Sequence, residues 1–306
     1  MPVPRSIRIE KLAKLACASC AAVWGLFWIP LRALDDAGIQ GSWATVLFAV
    51  VPLVLLLPLL VVRWNVFVTS GWALQRIGIL IGISFVCYSN AFLYTDVIRV
   101  LLLFYMTIVW GTLLARIWLK ETITLSRGVA ITLGFSGMFV IFSVEPGIPR
   151  PSNVGDWLSL VSGLAWAFAA VLMKIEKKTD PRELSVSYFI WATVIALSML
   201  WLPFLGHPEV PDSSNVVVVL PWLIPVVLLL IIPSTFALTW GAPLLSPGVT
   251  GILFMTEISV ATIAAAVLTD ESFGAREILG ILMITLAGLT EIIVVPLKAL
   301  LNKSRP

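Results

Sequence analysis

The strongest constraint in this sequence is a series of ten apolar runs, each about as long as a helix that crosses a lipid bilayer. A spanning helix needs about 20 predominantly apolar residues. The runs cover residues 15–34, 42–62, 77–94, 97–119, 128–144, 157–175, 186–205, 216–240, 249–269 and 278–297. Three prolines interrupt the eighth run, Pro221, Pro225 and Pro233, so we expect that helix to be bent or to start late. The pattern predicts ten transmembrane helices.

Composition excludes an ordinary soluble domain. The 306 residues are 59% hydrophobic and 12% charged, with a mean hydropathy of +1.03. Soluble domains carry about 45–50% apolar and about 25% charged residues. The period-two alternation of a membrane barrel is missing, and a helical bundle is the other way to satisfy backbone groups in lipid. The predicted fold class is therefore an all-α integral membrane protein.

The charge distribution predicts the orientation. With the N-terminus in the cytoplasm, sixteen of the twenty lysines and arginines fall on the cytoplasmic side, as the positive-inside rule requires. The other four are Arg32, Arg99, Arg150 and Arg276. We expect both termini in the cytoplasm and a location in the plasma membrane or the bacterial inner membrane. The basic N-terminus before the first run also fits a signal peptide, but that run is longer than a signal peptide requires.

The chain shows a weak internal repeat. A shift of 150 residues places Leu103-Phe104 on Leu253-Phe254, Ile108 on Ile258 and Glu121 on Glu271. Trp24 and Trp166 take similar places in the first and sixth runs. An odd number of spans in each half makes the second half inverted relative to the first. We predict two five-helix repeats, residues 1–150 and 151–306; chance similarity between apolar helices is the alternative.

Several motifs resemble those of the EamA-type drug/metabolite transporter superfamily. The segment from Glu271 to Gly280 is similar to the repeat ending of that family, and Ala21–Gly25 (AAVWG) resembles its first-helix opening. Leu253–Glu257 (LFMTE) resembles its acidic position in the ninth helix. The resemblance implies a secondary transporter, for which we expect export of amino acids, other small organic acids or drug-like compounds.

Glu257 is the most informative single residue. It lies about eight residues into the ninth run, about 12 Å deep at a rise of about 1.5 Å per residue. A charged group at that depth is costly and usually faces a cavity, a partner or a proton pathway. Glu257 is therefore a candidate for binding substrate or a proton. The alternative is a neutral acid that joins two helices by a structural hydrogen bond.

Two polar sites in the third and fourth runs are further candidates. Arg99 could bind a substrate carboxylate, or it could reach the outer surface or pair with Asp96. Asn90 belongs to a polar cluster with Tyr88, Ser89 and Tyr94, and it could meet substrate or neighbouring helices.

Aromatic residues complete the predicted binding site. Trp24, Trp110 and Trp166 lie deep in their runs and could line an apolar or cation-accepting pocket, or pack in the core. The predicted substrate-binding residues are Glu257, Arg99, Asn90, Tyr94, Trp24, Tyr105, Trp110, Trp166 and Phe254.

Other functions have little support in the sequence. With one histidine, and with Cys17 and Cys20 inside an apolar run, we expect no metal site and no cofactor. We find no catalytic motif or phosphate-binding loop and expect neither an enzyme nor an ATP-driven pump. A membrane sensor or assembly subunit without transport, or a passive channel, remains the alternative. The expected partners are a small-molecule substrate, lipid and a coupling proton, without nucleic acid. Five spaced glycines are expected to allow close helix packing, with a homodimer seam as the alternative: Gly128, Gly134, Gly137, Gly280 and Gly288.

Overall fold

The computed structural model describes residues 5–95, 97–142, 151–176, 179–202, 209–268 and 274–290, and these residues form helices joined by short turns. No strand occurs among them. The helices of the first half are α1 (Arg5–Gly25), α2 (Trp28–Asp36), α3 (Ser42–Val62), α4 (Trp64–Thr69), α5 (Gly71–Ala91), α6 (Val97–Phe104), α7 (Thr107–Trp118) and α8 (Leu125–Phe142). Those of the second half are α9 (Val154–Ile175), α10 (Pro181–Met199), α11 (Ser213–Val226), α12 (Ile232–Gly241), α13 (Pro247–Phe254), α14 (Thr256–Leu268) and α15 (Ala275–Leu289).

Seven helical stretches of the described chain are long and apolar enough to cross a membrane: Ile7–Asp36, Ser42–Val62, Gly71–Ala91, Arg99–Trp118, Val154–Ile175, Ser213–Leu244 and Pro247–Leu268. The other three predicted spans also form helices, α8, α10 and α15, although they are shorter or less apolar than this group. Large apolar side chains such as Val62, Leu125 and Val267 are exposed on the outside of the bundle, where lipid can cover them. The all-helical prediction is confirmed.

Two details of the structure differ from the predicted spans. The eighth run starts at Ser213, earlier than expected, and its helix continues through the prolines to Gly241 by way of a π-helical turn at Val227–Ile231. Pro233 has no N–H to give to the carbonyl four residues earlier, and such turns accommodate the missing bond. A short helix that was not predicted, α4, follows α3. The end of the tenth run and Glu271 of the repeat lie outside the described residues.

Two of the spanning stretches, Arg99–Trp118 and Pro247–Leu268, are interrupted at equivalent places by a tight turn of one or two residues, and we call each interruption a break. The first break lies at Tyr105 and Met106, between α6 and α7, and the second lies at Met255, between α13 and α14. In the first, the Ile108 N–H donates to the Tyr105 carbonyl; in the second, the Ile258 N–H donates to the Met255 carbonyl. These bonds are 150 residues apart, which is the shift found in the sequence.

Glycines allow the helices to approach closely. Gly78 and Gly82 of α5 face α10, and a Cβ at Gly82 would lie 2.9 Å from the Ala192 nitrogen. At the break in the first half, a Cβ at Gly163 of α9 would lie 2.5 Å from the Phe104 carbonyl oxygen. Such small residues are typical of helix interfaces in membranes, where close packing drives association.

The glycines predicted to mediate packing divide into two groups. Gly134, Gly137 and Gly280 are in close contacts, and a Cβ at Gly280 would lie 2.6 Å from the Gly137 carbonyl oxygen. This contact joins α8 to α15. The packing role is wrong for Gly128 and Gly288, where a Cβ would have open space.

Gly280 and Gly288 provide a matched test, because both lie in α15. We expect Gly280→Ala to destabilise the protein by about 1–3 kcal/mol, since the methyl group has no room against α8. Gly288→Ala should be neutral or stabilising by up to about 1 kcal/mol, because alanine favours the helix. Thermal unfolding in detergent measures both. Equal stability of the two variants would contradict the close approach of α8 and α15.

Candidate functional site

A cavity lies between the two halves of the chain, beside both helix breaks. It holds about 530 Å³ of space not filled by atoms, part of it open to solvent. The aromatic residues of its lining are Trp24, Phe85, Tyr88, Phe104, Trp166, Tyr188 and Phe254. The other lining residues are Ile81, Ser84, Leu238 and Glu257. Both halves therefore contribute to one pocket.

The aromatic rings of the lining pack against one another. Trp166 stacks on Phe254 with ring centroids 5.3 Å apart and an angle of 20° between the planes. Phe85 lies edge-on to Trp24 at 5.8 Å and to Tyr188 at 5.9 Å. Aromatic pairs prefer these arrangements, and mutual contact restricts the rings to few rotamers. The aromatic wall is thus formed before any ligand binds.

Glu257 supplies the only ionisable carboxylate among the residues that line the cavity. It lies in the first turn of α14, directly after the break at Met255. Its Oε1 accepts a 2.7 Å hydrogen bond from the Tyr88 hydroxyl, and its Oε2 lies 2.8 Å from the Tyr105 hydroxyl. Both carboxylate oxygens are therefore bonded to tyrosine hydroxyls of the first half.

Glu257 differs from the other buried acidic residues in its partners. In the described part of the chain, Asp156 pairs with Arg99, Glu183 with Arg63, and Glu277 with Arg276. The bonds that Glu257 makes within the described residues come from hydroxyl groups. A buried charge without an opposite charge is costly. Glu257 can remove that cost by binding a proton or a cationic ligand.

Tyr105 connects Glu257 to the backbone at the second break. Its hydroxyl also lies 2.7 Å from the Phe254 carbonyl oxygen, and this carbonyl has lost its helical donor because the Ile258 N–H bonds to Met255. The hydroxyl has one hydrogen for two acceptors. When Glu257 is ionised, Tyr105 can donate to the carboxylate. When Glu257 is protonated, its own O–H can donate to Tyr105, which then donates to Phe254. The geometry therefore accommodates both protonation states.

Four of the nine predicted binding residues line the cavity: Glu257, Trp24, Trp166 and Phe254. Tyr105 lies behind the lining, fully buried, and reaches the site through its bond to Glu257. The structure places Arg99, Asn90, Tyr94 and Trp110 elsewhere.

Arg99 does not face the cavity; it bonds to Asp156 at the start of α9. Asp156 is fully buried and also accepts bonds from the Thr95 hydroxyl at 2.8 Å and the Ser152 backbone N–H at 2.9 Å. This network joins the two halves at the end of the bundle opposite the N-terminus, which we call the far end. The predicted alternative partner, Asp96, lies outside the described residues.

Asn90, Tyr94 and Trp110 also lie away from the lining. Asn90 is fully buried, accepts a 2.5 Å bond from the Ser42 hydroxyl and donates to the Val86 carbonyl. Tyr94 follows the last turn of α5, and Trp110 is a half-buried residue of α7. The contacts of Asn90 are those of a helix-packing residue.

A second set of ion pairs joins the halves at the end of the bundle where α1 begins, which we call the near end. Arg63 contacts Glu183 and Asp180, and Arg76 contacts Glu176. Hydrogen bonds from Arg182 lower the pKa of the Asp180 carboxyl to about 2, so it is ionised at neutral pH. Ion pairs thus connect the halves on both sides of the cavity.

Sequence reasoning missed most of the aromatic wall. Phe85, Phe104 and Tyr188 are unremarkable in an apolar helix, and only their arrangement in space groups them. Tyr88 stood in a recognised polar cluster, and the signal that could have selected it is its hydroxyl, which needs a partner in lipid.

The described residues contain no group of three or more His, Cys, Asp or Glu that could hold a metal ion. Cys17, Cys20 and Cys87 are buried free thiols. The chemistry that this arrangement offers is binding and release, through one carboxylate, three tyrosine hydroxyls and aromatic faces.

Residues 153–290 match the model of the EamA-like transporter family. The match confirms, over that part of the chain, the resemblance seen in the sequence motifs. No curated protein matches the chain. Among 28 matching solved chains, one described as "Crystal structure of protein" is 15% identical, with a TM-score of 0.67. The alignment covers 92% of this chain and 98% of that one, and at this identity it shows a shared fold alone. The family match and the apolar helices identify a multi-pass membrane protein.

Tyr105, behind the lining, and Tyr88 and Tyr188, within it, provide a test of the hydrogen bonds around Glu257. Tyr105→Phe should destabilise the protein more than Tyr88→Phe, because it leaves two acceptors, Phe254 O and Glu257 Oε2, with fewer donors. Each unsatisfied buried acceptor costs about 1–3 kcal/mol. Tyr188→Phe is the control, since its hydroxyl makes no bond to Glu257 among the described contacts. Thermal unfolding in detergent ranks the variants, and equal stability of all three would contradict the described bonding.

Proposed function

We propose, from the premise that this is a multi-pass membrane protein whose second half matches a transporter family, that it is a secondary active transporter. It would export a small metabolite by alternating access, with the substrate bound near the bilayer midplane. The observation that carries this proposal is the buried Glu257 in an aromatic cavity between two broken helices. Discontinuous helices at a midplane site are typical of transporters built from inverted repeats.

Two pairs of lining residues support two inverted five-helix repeats. Phe104 and Phe254 end the first part of each broken span, are 150 residues apart and both line the cavity. Tyr88 and Leu238 are a second lining pair with the same separation. The cavity would then lie on the pseudo-twofold axis that relates the repeats, with both termini in the cytoplasm.

The ion pairs at the two ends would act as gates. Arg99 with Asp156 closes the far end, while Arg63 with Glu183 and Arg76 with Glu176 close the near end. Each pair joins one half to the other, so rocking of the halves must break one set. The arginine of each pair is partly exposed, so water can replace its carboxylate partner when the halves separate.

Glu257 would couple the substrate to a proton. A buried carboxylate without a cationic side chain is stable when it is protonated or when it binds a positively charged ligand. If Glu257 binds a proton and the substrate alternately, protons that move down their gradient would drive the substrate across the membrane in the direction opposite to their own. The alternative function, a membrane sensor or assembly subunit, could use the same cavity for binding but would show no flux.

Counterflow in proteoliposomes tests the proposal. We expect at least one compound from a panel of amino acids, organic acids and amines to exchange across the membrane in the wild type. Glu257→Gln should abolish proton-driven flux, because the amide does not ionise. Glu209→Gln is the control, since that residue is exposed and outside the cavity. Binding without flux for the wild type would favour the sensor.

Thiol labelling tests alternating access without knowledge of the substrate. In a background without Cys17, Cys20 and Cys87, we expect Ser84→Cys in the cavity wall to react with an impermeant reagent from either side of the membrane. Arg99→Gln should increase labelling from the far end, and Arg63→Gln from the near end. Labelling from one side alone, unaffected by either change, would contradict the gating role.

A further inference from the structure

We propose that the substrate is a monovalent organic cation, a primary amine or quaternary ammonium, with an aromatic or bulky apolar body. This inference rests on the proposed function and narrows its substrate from the amino acids, organic acids and drug-like compounds that the sequence resemblance implies. Its basis is the charge and the shape of the cavity lining.

The first argument is charge. Among the residues that the structure describes, the lining includes one carboxylate, Glu257, and no lysine, arginine or histidine. Three arginines join the two halves, and each is bonded to an acidic residue at one end of the bundle: Arg63, Arg76 and Arg99. An anionic substrate would bring a second negative charge beside Glu257 with no basic side chain in the lining to offset it. A cation would complete the ion pair that the other three buried acids already have.

The second argument is the aromatic wall. Trp24, Tyr88, Trp166 and Phe254 border the same space as the carboxylate. Tryptophan and tyrosine faces attract ammonium groups, more strongly when water is excluded. The same faces accept an aromatic ring of a ligand by stacking or edge contact. A ligand with a positive end and an apolar body satisfies both features at once.

The third argument concerns a zwitterion such as an amino acid. Its ammonium group could bind Glu257, but its carboxylate would then lie within an aromatic wall. The polar lining groups other than Glu257 are the hydroxyls of Ser84, Tyr88 and Tyr188 and the indole N–H groups of Trp24 and Trp166. Tyr88 already donates to Glu257, and Ser84 lies 3.3 Å from the Ser162 hydroxyl. A desolvated carboxylate with so few donors is costly, so the zwitterion should bind more weakly than the matching amine.

A series of four ligands that share a phenyl ring and differ in charge tests the proposal. They are phenethylamine, phenylalanine, 3-phenylpropionate and 2-phenylethanol. Binding to the purified protein is measured by titration calorimetry, with thermal shift as a second readout. We expect the amine to bind about tenfold or more tightly than the alcohol and the zwitterion. The alcohol has no charge to pair with Glu257, and the zwitterion brings a carboxylate into the aromatic wall together with its ammonium group. The anion should show no binding.

Variants locate the binding energy within the cavity. Glu257→Gln should weaken the amine about tenfold to a hundredfold and leave the alcohol unchanged, since a buried charge partner is lost. Trp166→Leu should weaken the amine more than Trp166→Phe, which keeps an aromatic face. Trp110→Leu is the matched control, because Trp110 does not line the cavity. Thermal unfolding verifies that each variant is folded.

Each outcome supports or overturns the inference. Tighter binding of the amine that depends on Glu257 supports it. Tighter or equal binding of the anion, equal binding of the alcohol, or no binding of any of the four overturns it. Counterflow separates this result from the broader proposal: an amine that binds without flux supports the site and contradicts transport, whereas flux of the anion supports transport and contradicts the cationic substrate.

Discussion

A break in a membrane helix leaves backbone carbonyls that lipid cannot hydrogen-bond, and the centre of this protein depends on how those groups are satisfied. At the second break, Phe254 loses its helical donor and gains the Tyr105 hydroxyl from the opposite half. At the first break, the Phe104 carbonyl packs against Gly163 of α9. Each break is thus in contact with the half of the chain to which it does not belong, and this places both breaks and Glu257 at the interface between the halves.

The same constraint explains why the cavity is aromatic. Broken helices separate side chains that a continuous helix would pack together, and rigid rings can fill the resulting space with few rotamers. Trp166 stacks on Phe254 within the second half, and Phe85 contacts Tyr188 across the interface. The wall therefore needs little reorganisation when a ligand enters, which reduces the entropy lost on binding.

The sequence predicted the helices well because lipid demands long apolar runs, and no tertiary contact is needed to read them. It did not predict the breaks, since Tyr105 and Met255 are ordinary helix residues in an apolar context and the breaks depend on partners far along the chain. For the site, Glu257, Trp24, Trp166 and Phe254 were found by their depth and type. Arg99 was conspicuous for the same reason, yet its contact with Asp156 requires a neighbour 57 residues away. Its substrate role stays a prediction that this contact does not support.

The single carboxylate of the cavity, Glu257, has a further consequence. A site with one carboxylate holds either one proton or one monovalent cation, and the occupied cavity is electrically neutral in both forms. The conformational change would then carry no net charge through the bilayer, both with the proton bound and with the cation bound. The cycle would then respond to a difference in pH across the membrane and be indifferent to voltage, so a cell could keep it running after its membrane potential had collapsed.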